Sequence, residues 1–309
     1  MLRGGALFFI LTLIAFLPAY ADMNAQMNSS SAPYTVGHFK VTALLDGTVN
    51  LGLGGYKGVP QEQVQALVDE ENILRNGAVP TSVNAYLIDT GNLRVLIDAG
   101  NASCYSWNMG GLEQSLLDSG YNPGQIDMIF LTHLHGDHVC GLVKNGKKLF
   151  ANATIYVARD EAAYWLDSKK SDSTAKQALA TLALYNNVFR TFSLGEKVLP
   201  WLTPVAAFGH TPGHTAYLVQ SEEQALLIWG DIIHCFAIQL PRPDISIVSD
   251  IDTNQAIATR KALLEKVSSE NLAVAGAHLP FPGVGHIRRK GDHYVWEPLI
   301  SGPISGRHP

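Results

Sequence analysis

The sequence predicts one α/β domain over residues 34–300, and three observations predict it. Apolar runs of strand length interleave with segments whose apolar residues recur at helical spacing. No Pro- or Ser-rich linker and no repeat of roughly 20–50 residues divides that span. Four of the apolar runs end directly in a histidine or an aspartate, and strand ends on one sheet edge lie close in space whatever their separation in sequence.

The chain has 309 residues, 47% of them hydrophobic, enough to bury a sizeable core. Its first 21 residues, MLRGGALFFILTLIAFLPAYA, carry one early Arg, an apolar run over Ala6–Leu17 and the small-residue triplet Ala19-Tyr20-Ala21. That pattern is a signal peptide cleaved after Ala21, since the apolar run is shorter than the roughly 20 residues a spanning helix needs. The expected mature protein is exported, periplasmic or secreted, and free of the membrane. It keeps 21 basic and 27 acidic residues, a net −6, which gives no electrostatic reason to bind nucleic acid or anionic lipid. Three cysteines (Cys104, Cys140, Cys235) exclude a disulfide framework; at most one bridge can form, and three small buried hydrophobes is the favoured reading.

Residues 22–33, DMNAQMNSSSAP, read as a flexible leader, and 301–309 as a tail. Between them, VGHFKVTALLDGTV and SVNAYLIDTGNLRVLIDAG read as antiparallel strands, with DTGN as the hairpin turn of the second. Helical patterns follow in PQEQVQALVDEE, GGLEQSLLDSG, DEAAYWLDS, a run from about Thr174 to Val188, and TNQAIATRKALLEKVSSE. Further strands are IDMIFL, ATIYVA, TPVAAF, TAYLVQ, ALLIWG and LAVAGA.

IDMIFL runs into THLHGDH, PVAAF into GHTPGHT, LLIWG into Asp231, and LAVAGA into His278. In HLHGDH, His133 and His135 are two apart and point the same way on an extended chain. Gly136 then permits a turn, after which the adjacent Asp137 and His138 diverge. One pair can face one cation and the other a neighbouring one. A lone HxH is a weak signal, but HxHxDH followed by three further strand-end ligands is specific. Imidazole and carboxylate donors without thiolate suit catalytic zinc, manganese, iron or cobalt better than a structural zinc.

HLHGDH, GHTPGHT, the Gly230-Asp231 pair and AHLPFPGVGHI together resemble the metallo-β-lactamase superfamily, and most of all its exported methyl parathion hydrolase-like branch, over residues 34–298. The resemblance implies an αβ/βα sandwich, two mixed β-sheets face to face with helices outside, and a binuclear centre of two divalent cations, zinc foremost. It implies His133, His135 and His214 on one cation, Asp137, His138 and His278 on the other, and Asp231 bridging both. A water-derived hydroxide between the cations would then be the nucleophile toward a lactone or aryl ester, with organophosphate triesters as further substrates. The β-lactamases of the superfamily lack the bridging aspartate, which makes β-lactam hydrolysis the alternative activity; a non-catalytic metal-binding protein is the alternative of a different class. Members of the family are often dimers, so a homodimer is a further expectation.

His210 in GHTPGHT is expected to brace the loop rather than ligate, and His286 to close the PFPGVGH loop. His234, three residues after Asp231, is expected to face substrate, donating to a developing oxyanion or protonating a leaving alkoxide, with Asp231 and Asp137 completing the catalytic set. Tyr105, Trp165 and Phe281 are the expected aromatic wall of a pocket for uncharged, hydrophobic substrates. The departures from the parathion branch at CYSWNMGG and over Ser168–Val188 weigh against efficient phosphotriester turnover.

Overall fold

A computed structural model describes residues 29–304 apart from 103, 106–108 and 168. Residues 1–21, expected to be a signal peptide, and Ser168 lie outside the described residues.

Eight strands form the first sheet, in the order β10-β9-β6-β5-β4-β2-β1-β18. They are β1 (Ser31–Val36), β2 (Phe39–Gly52), β4 (Ala78–Asp89), β5 (Arg94–Ile97), β6 (Met128–Phe130), β9 (Thr154–Ala158), β10 (Phe189–Phe192) and β18 (Gly302–Pro303). Six form the second, β11-β12-β13-β15-β16-β17, from β11 (Leu202–Ala206), β12 (Thr215–Ser221), β13 (Gln224–Ile228), β15 (Ala273–Ala275), β16 (Val284–Lys290) and β17 (His293–Pro298). Both sheets mix parallel and antiparallel pairs. Short ribbons pair β3 (Tyr56–Lys57) with β14 (Ser246–Ile247) and β7 (Val143–Lys144) with β8 (Lys147–Lys148).

The two-residue period of a strand sorts the core into layers. Tyr86 and Ile88 of β4 meet Leu226 and Ile228 of β13 and Ala273 and Ala275 of β15 between the sheets. Ala85 and Leu87 point the other way, into a layer with Leu112 and Leu116 of α2 (Leu112–Asp118), Ala162 and Trp165 of α4 (Arg159–Trp165), and Ala175 and Leu182 of α5 (Ser173–Ala183). On the second sheet Leu227 and Val274 pack outward on Leu263, Leu264 and Val267 of α6 (Thr253–Ser269). Helix α1 (Gln61–Glu70) covers a smaller cluster through Val64 and Val68. The resulting α/β/β/α sandwich is the predicted fold.

The predicted helices and strands are all present, and four expectations change. The leader ends earlier, because Ser31–Ala32 already pair with Leu44–Ala43 and Ala32 is fully buried. Part of the tail is structured: β18 pairs with β1 and Ile304 is buried in the core between the sheets, which a polar, Gly- and Pro-rich sequence did not advertise. Helix α5 stops at Ala183. His286 lies on β16 opposite Glu297, not in a loop. The cysteines are also corrected. Cys104 and Cys140 are bonded, their Cα atoms 6.0 Å apart, and only Cys235 is a small buried thiol. A 36-residue separation hides that pairing, which the loop after β5 creates by folding back over the ligand-bearing turn.

Candidate metal centre

The ligand-type residues collect where strands of both sheets end. Beyond β6 an irregular segment carries His133 and His135, whose ring centroids lie 4.6 Å apart, and His135 itself is extended. The one-turn helix α3 (Gly136–Val139) then starts, carrying Asp137 and His138 round to a second side. Asp231 follows β13 after Gly230, whose φ of +57° is open to glycine at little cost and where a Cβ would come 2.5 Å from His214 Nε2. His278 follows β15 and is fixed by Nδ1 on the carbonyl of Ser82, 2.9 Å away.

Asp231 stands at the centre. Its Oδ2 lies 3.1 Å from His278 Nε2, 3.2 Å from His234 Nε2, 3.3 Å from His210 Nε2 and 3.6 Å from His133 Nε2, and its Oδ1 lies 3.1 Å from His138 Nε2. Asp137 Oδ2 is 3.5 Å from His278 Nε2 and 3.7 Å from His138 Nε2. Among the described residues this makes three overlapping groups able to hold a cation: His133, His135, His210 and Asp231; Asp137, His138 and His278; and Asp231, His234 and His278.

His214, expected as a ligand, is absent from these groups, although its ring lies 5.1 Å from that of His133. Its Nδ1 bonds the carbonyl of Ala207 at 2.9 Å, and its Nε2 accepts the backbone N–H of Asp231 at 3.1 Å. With both nitrogens committed to backbone, it braces the strand ends. His210, expected only to brace its loop, also stands at the cluster, its Nε2 3.0 Å from His135 Nδ1. The reason is the loop between β11 and β12. Ala207 donates to the carbonyl of His214 at the loop's base, which leaves His210 nearer the tip. Two histidines four apart in GHTPGH look alike until that closure is known.

Two buried carboxylates that sequence reasoning left unassigned orient the rings. Asp98 Oδ2 sits 2.8 Å from His138 Nδ1 while its carboxylate accepts the N–H and hydroxyl of Thr132 at 2.7 and 2.8 Å. Asp250 Oδ1 sits 2.9 Å from His210 Nδ1, and its other oxygen takes the N–H of Ile247 at 3.1 Å. Such partners fix which ring nitrogen is left for a cation. Asp98 follows the apolar strand VLI, a strand-end signal of the kind that marked Asp231; nothing in the local sequence marks Asp250.

Burial lowers the pKa of every one of these imidazoles, and the carboxylates divide them. His133 and His135 stay well below their ordinary value, burial and neighbouring histidines outweighing Asp231. His138 and His278 go the other way: burial is more than offset by Asp231, Asp98 and Asp137 at His138, and by Asp231 and Asp137 at His278. His210 rises to about 9 against burial through hydrogen bonds to Asp231 and Asp250. His234 falls to about 4, chiefly by burial, and Asp231 is held well below the carboxylate range by His138 and His278 despite its burial.

The cluster opens into a cleft of about 240 Å³ lined by Val49, Leu51, Tyr105, Thr174, Ile247 and Ser249 besides the ligand-type residues. A larger hollow of about 440 Å³ lies elsewhere, between α1 and β17, and contains none of the clustered side chains. Of the expected aromatic wall only Tyr105 lines the cleft. Trp165 turns into the helix-side core with its ring edge-on to His135 at 5.4 Å, and Phe281 packs against the core between the sheets. Val49, Leu51 and Ile247 form the apolar wall instead. Cys235 is buried among apolar neighbours and is in none of the candidate groups.

The residues fit a pair of divalent cations. Nε2 of His133 is buried and makes no hydrogen bond within the protein, and Nε2 of His138 and Oδ1 of Asp231 lie buried 3.1 Å apart without hydrogen-bond alignment. Atoms of that kind are costly to bury without a partner, and nitrogen and carboxylate donors are the set that zinc-like cations take.

A family model described as the metallo-beta-lactamase superfamily matches residues 78–278. Among solved structures, the hydrolase AbOPH of the beta-lactamase superfamily superposes with a TM-score of 0.84 at 36% identity, covering 88% of this chain and 98% of that one. AidC, a dizinc quorum-quenching lactonase, superposes at 0.82 with 24% identity over the same shares, which speaks for the fold. Curated matches are short: ribonuclease BN of Enterobacter sp. (strain 638) at 59% over 32 residues, and of Escherichia coli O1:K1 / APEC at 33% over 90. The match spans 10% and 22% of those relatives' lengths and 10% and 29% of this chain.

Proposed function

This chain belongs to the metallo-β-lactamase superfamily, and from that premise we propose that it is an exported hydrolase of uncharged lactones or aryl esters that works with two divalent cations, zinc foremost. The observation that carries the reading is Asp231, reached by five imidazoles at the floor of a cleft whose remaining lining has no Lys or Arg among the described residues. Apart from the cations themselves, the lining offers no basic side chain to an anionic substrate such as RNA or a β-lactam carboxylate, whereas a neutral acyl chain would rest on Val49, Leu51 and Ile247.

His133, His135 and His210 would hold one cation, Asp137, His138 and His278 the other, with Asp231 shared. Bound there, the pair supplies Lewis acidity for the carbonyl and an acidified water. The protein supplies the rest. Asp98 and Asp250 keep His138 and His210 turned toward the cluster. The apolar wall excludes water and orients the acyl group. His234 stays neutral at pH 7, and its Nε2–H, which donates to Asp231 here, is the donor assigned to the carbonyl oxygen as charge develops on it. Tyr105 stays a phenol, its pKa pushed up to about 12 by burial and by Asp137, and closes one side.

Export is supported by the N-terminal apolar run and by the Cys104–Cys140 bond, which suits an oxidising compartment; N-terminal sequencing of protein from the periplasm or medium should begin at Asp22. The activity is tested by kcat/KM of the zinc-loaded enzyme on an aryl lactone, a dimethyl aryl phosphotriester and a chromogenic cephalosporin. A lactone preference of about 100-fold, near 2.7 kcal/mol, is expected. Preference for the phosphotriester would reassign the substrate, and turnover of the cephalosporin alone would overturn the reading.

A further inference from the structure

We propose that Glu161 is a positioning residue that locks the His133–His135 loop to the His210 loop and so sets the geometry of the first cation site. The proposal rests on the reading of those loops as ligand loops.

Glu161 lies in the first turn of α4 and is fully buried. One carboxylate oxygen accepts the N–H of Leu134, the residue between His133 and His135, at 2.9 Å. The other accepts the hydroxyl of Thr211 at 2.7 Å and the N–H of Gly213 at 3.0 Å, both in the loop of His210. All three partners are donors, as an ionised, acceptor-only carboxylate requires.

Packing alone does not explain an acid here. An apolar side chain of similar size would leave the amides of Leu134 and Gly213 buried without an acceptor. The fit is also close: a Cβ on Gly213 would come 2.1 Å from the backbone nitrogen of Glu161, so the loop lies flush against the start of α4. The two histidine loops come from different sheets, since β6 leads into one and β11 into the other. The His135–His210 approach of 3.0 Å therefore depends on whatever fixes one loop against the other. Glu161 bonds to both and occupies neither ligand position, so its carboxylate acts through the ligands rather than on substrate.

The test follows zinc retained by the full-length protein as a chelator is raised. The wild type should lose its ions in two steps, and Asp137→Asn should weaken one of them, marking it as the second site. Glu161→Gln keeps the size but turns an amide toward one set of donors, so it should weaken the other step by at least 10-fold, the usual scale for an outer-shell partner. Thr211→Val, a milder change that folds more readily, should shift the same step in the same direction by less. Two steps in the wild type with both unmoved, or moved equally, in Glu161→Gln and Thr211→Val would overturn the role of Glu161 alone. A wild type that binds no zinc would overturn the metal reading and this inference with it.

Discussion

His210 Nε2 lies 3.0 Å from His135 Nδ1 although 75 residues separate them. That approach joins two loops from different sheets and turns a run of histidines into one nitrogen-rich face around Asp231.

Substituting each of the two histidines of GHTPGHT should separate their roles. His210→Ala should retain one zinc per chain rather than two and lose at least about 100-fold in kcat/KM, near 2.7 kcal/mol. His214→Ala should instead lower stability, by about 1–3 kcal/mol per buried partner left unpaired, with zinc content nearer the wild type. Elemental analysis beside thermal unfolding distinguishes them, and the reverse pattern would restore His214 as the ligand.

His234→Leu should keep both ions and lower kcat on a lactone by about 100-fold, the scale for loss of one donor to a developing oxyanion. Unchanged turnover at full metal content would remove His234 from the catalytic set.

The Cys104–Cys140 bond ties the Tyr105 loop to the residue that follows α3. Tyr105 packs over Gly136, where a Cβ would meet its ring at 3.0 Å. Replacing both cysteines by Ser should cost about 4 kcal/mol for a loop of this length, read by denaturant unfolding. It should also raise KM more than it lowers kcat, since the cleft wall loosens while the ligands stay. An unchanged KM would detach the bond from substrate binding.

His210 gives a signed pH dependence. Its pKa without cations is raised from 6.5 to about 9, so the stabilisation from its protonated form is fully present below pH 6.5 and lost as pH rises through 9. A cation needs that nitrogen unprotonated. Between pH 6.5 and 9 the Tm of the cation-free protein should fall and the gain on adding zinc should grow. A gain that shrinks with pH would contradict the placement of His210.

Much of this was legible because local chemistry and strand ends are written in the chain. HLHGDH forms its two-sided pattern from an irregular segment and a glycine-started turn, and IDMIFL, LLIWG and LAVAGA each run straight into a ligand-type residue. The errors came where a side chain's direction depends on a distant partner. Trp165 has the look of a pocket aromatic, but α4 turns it into the core. Asp250 and Glu161 carry no mark in the sequence, yet both are buried, with donors from His210, Leu134, Thr211 and Gly213.

The sequence by itself therefore determined the alternation that builds two sheets with helices outside, the place of the site at strand ends, and most of its histidines and both its aspartates, because periodicity and ligand spacing are local properties. Only the tertiary structure decided that His210 joins the cluster, which carboxylates orient the rings, that Cys104 meets Cys140, and that Val49, Leu51 and Ile247 rather than Trp165 and Phe281 wall the cleft. Each of those depends on loops from separate sheets closing on one another, and that closure is set by long-range hydrogen bonds and packing that no local pattern records.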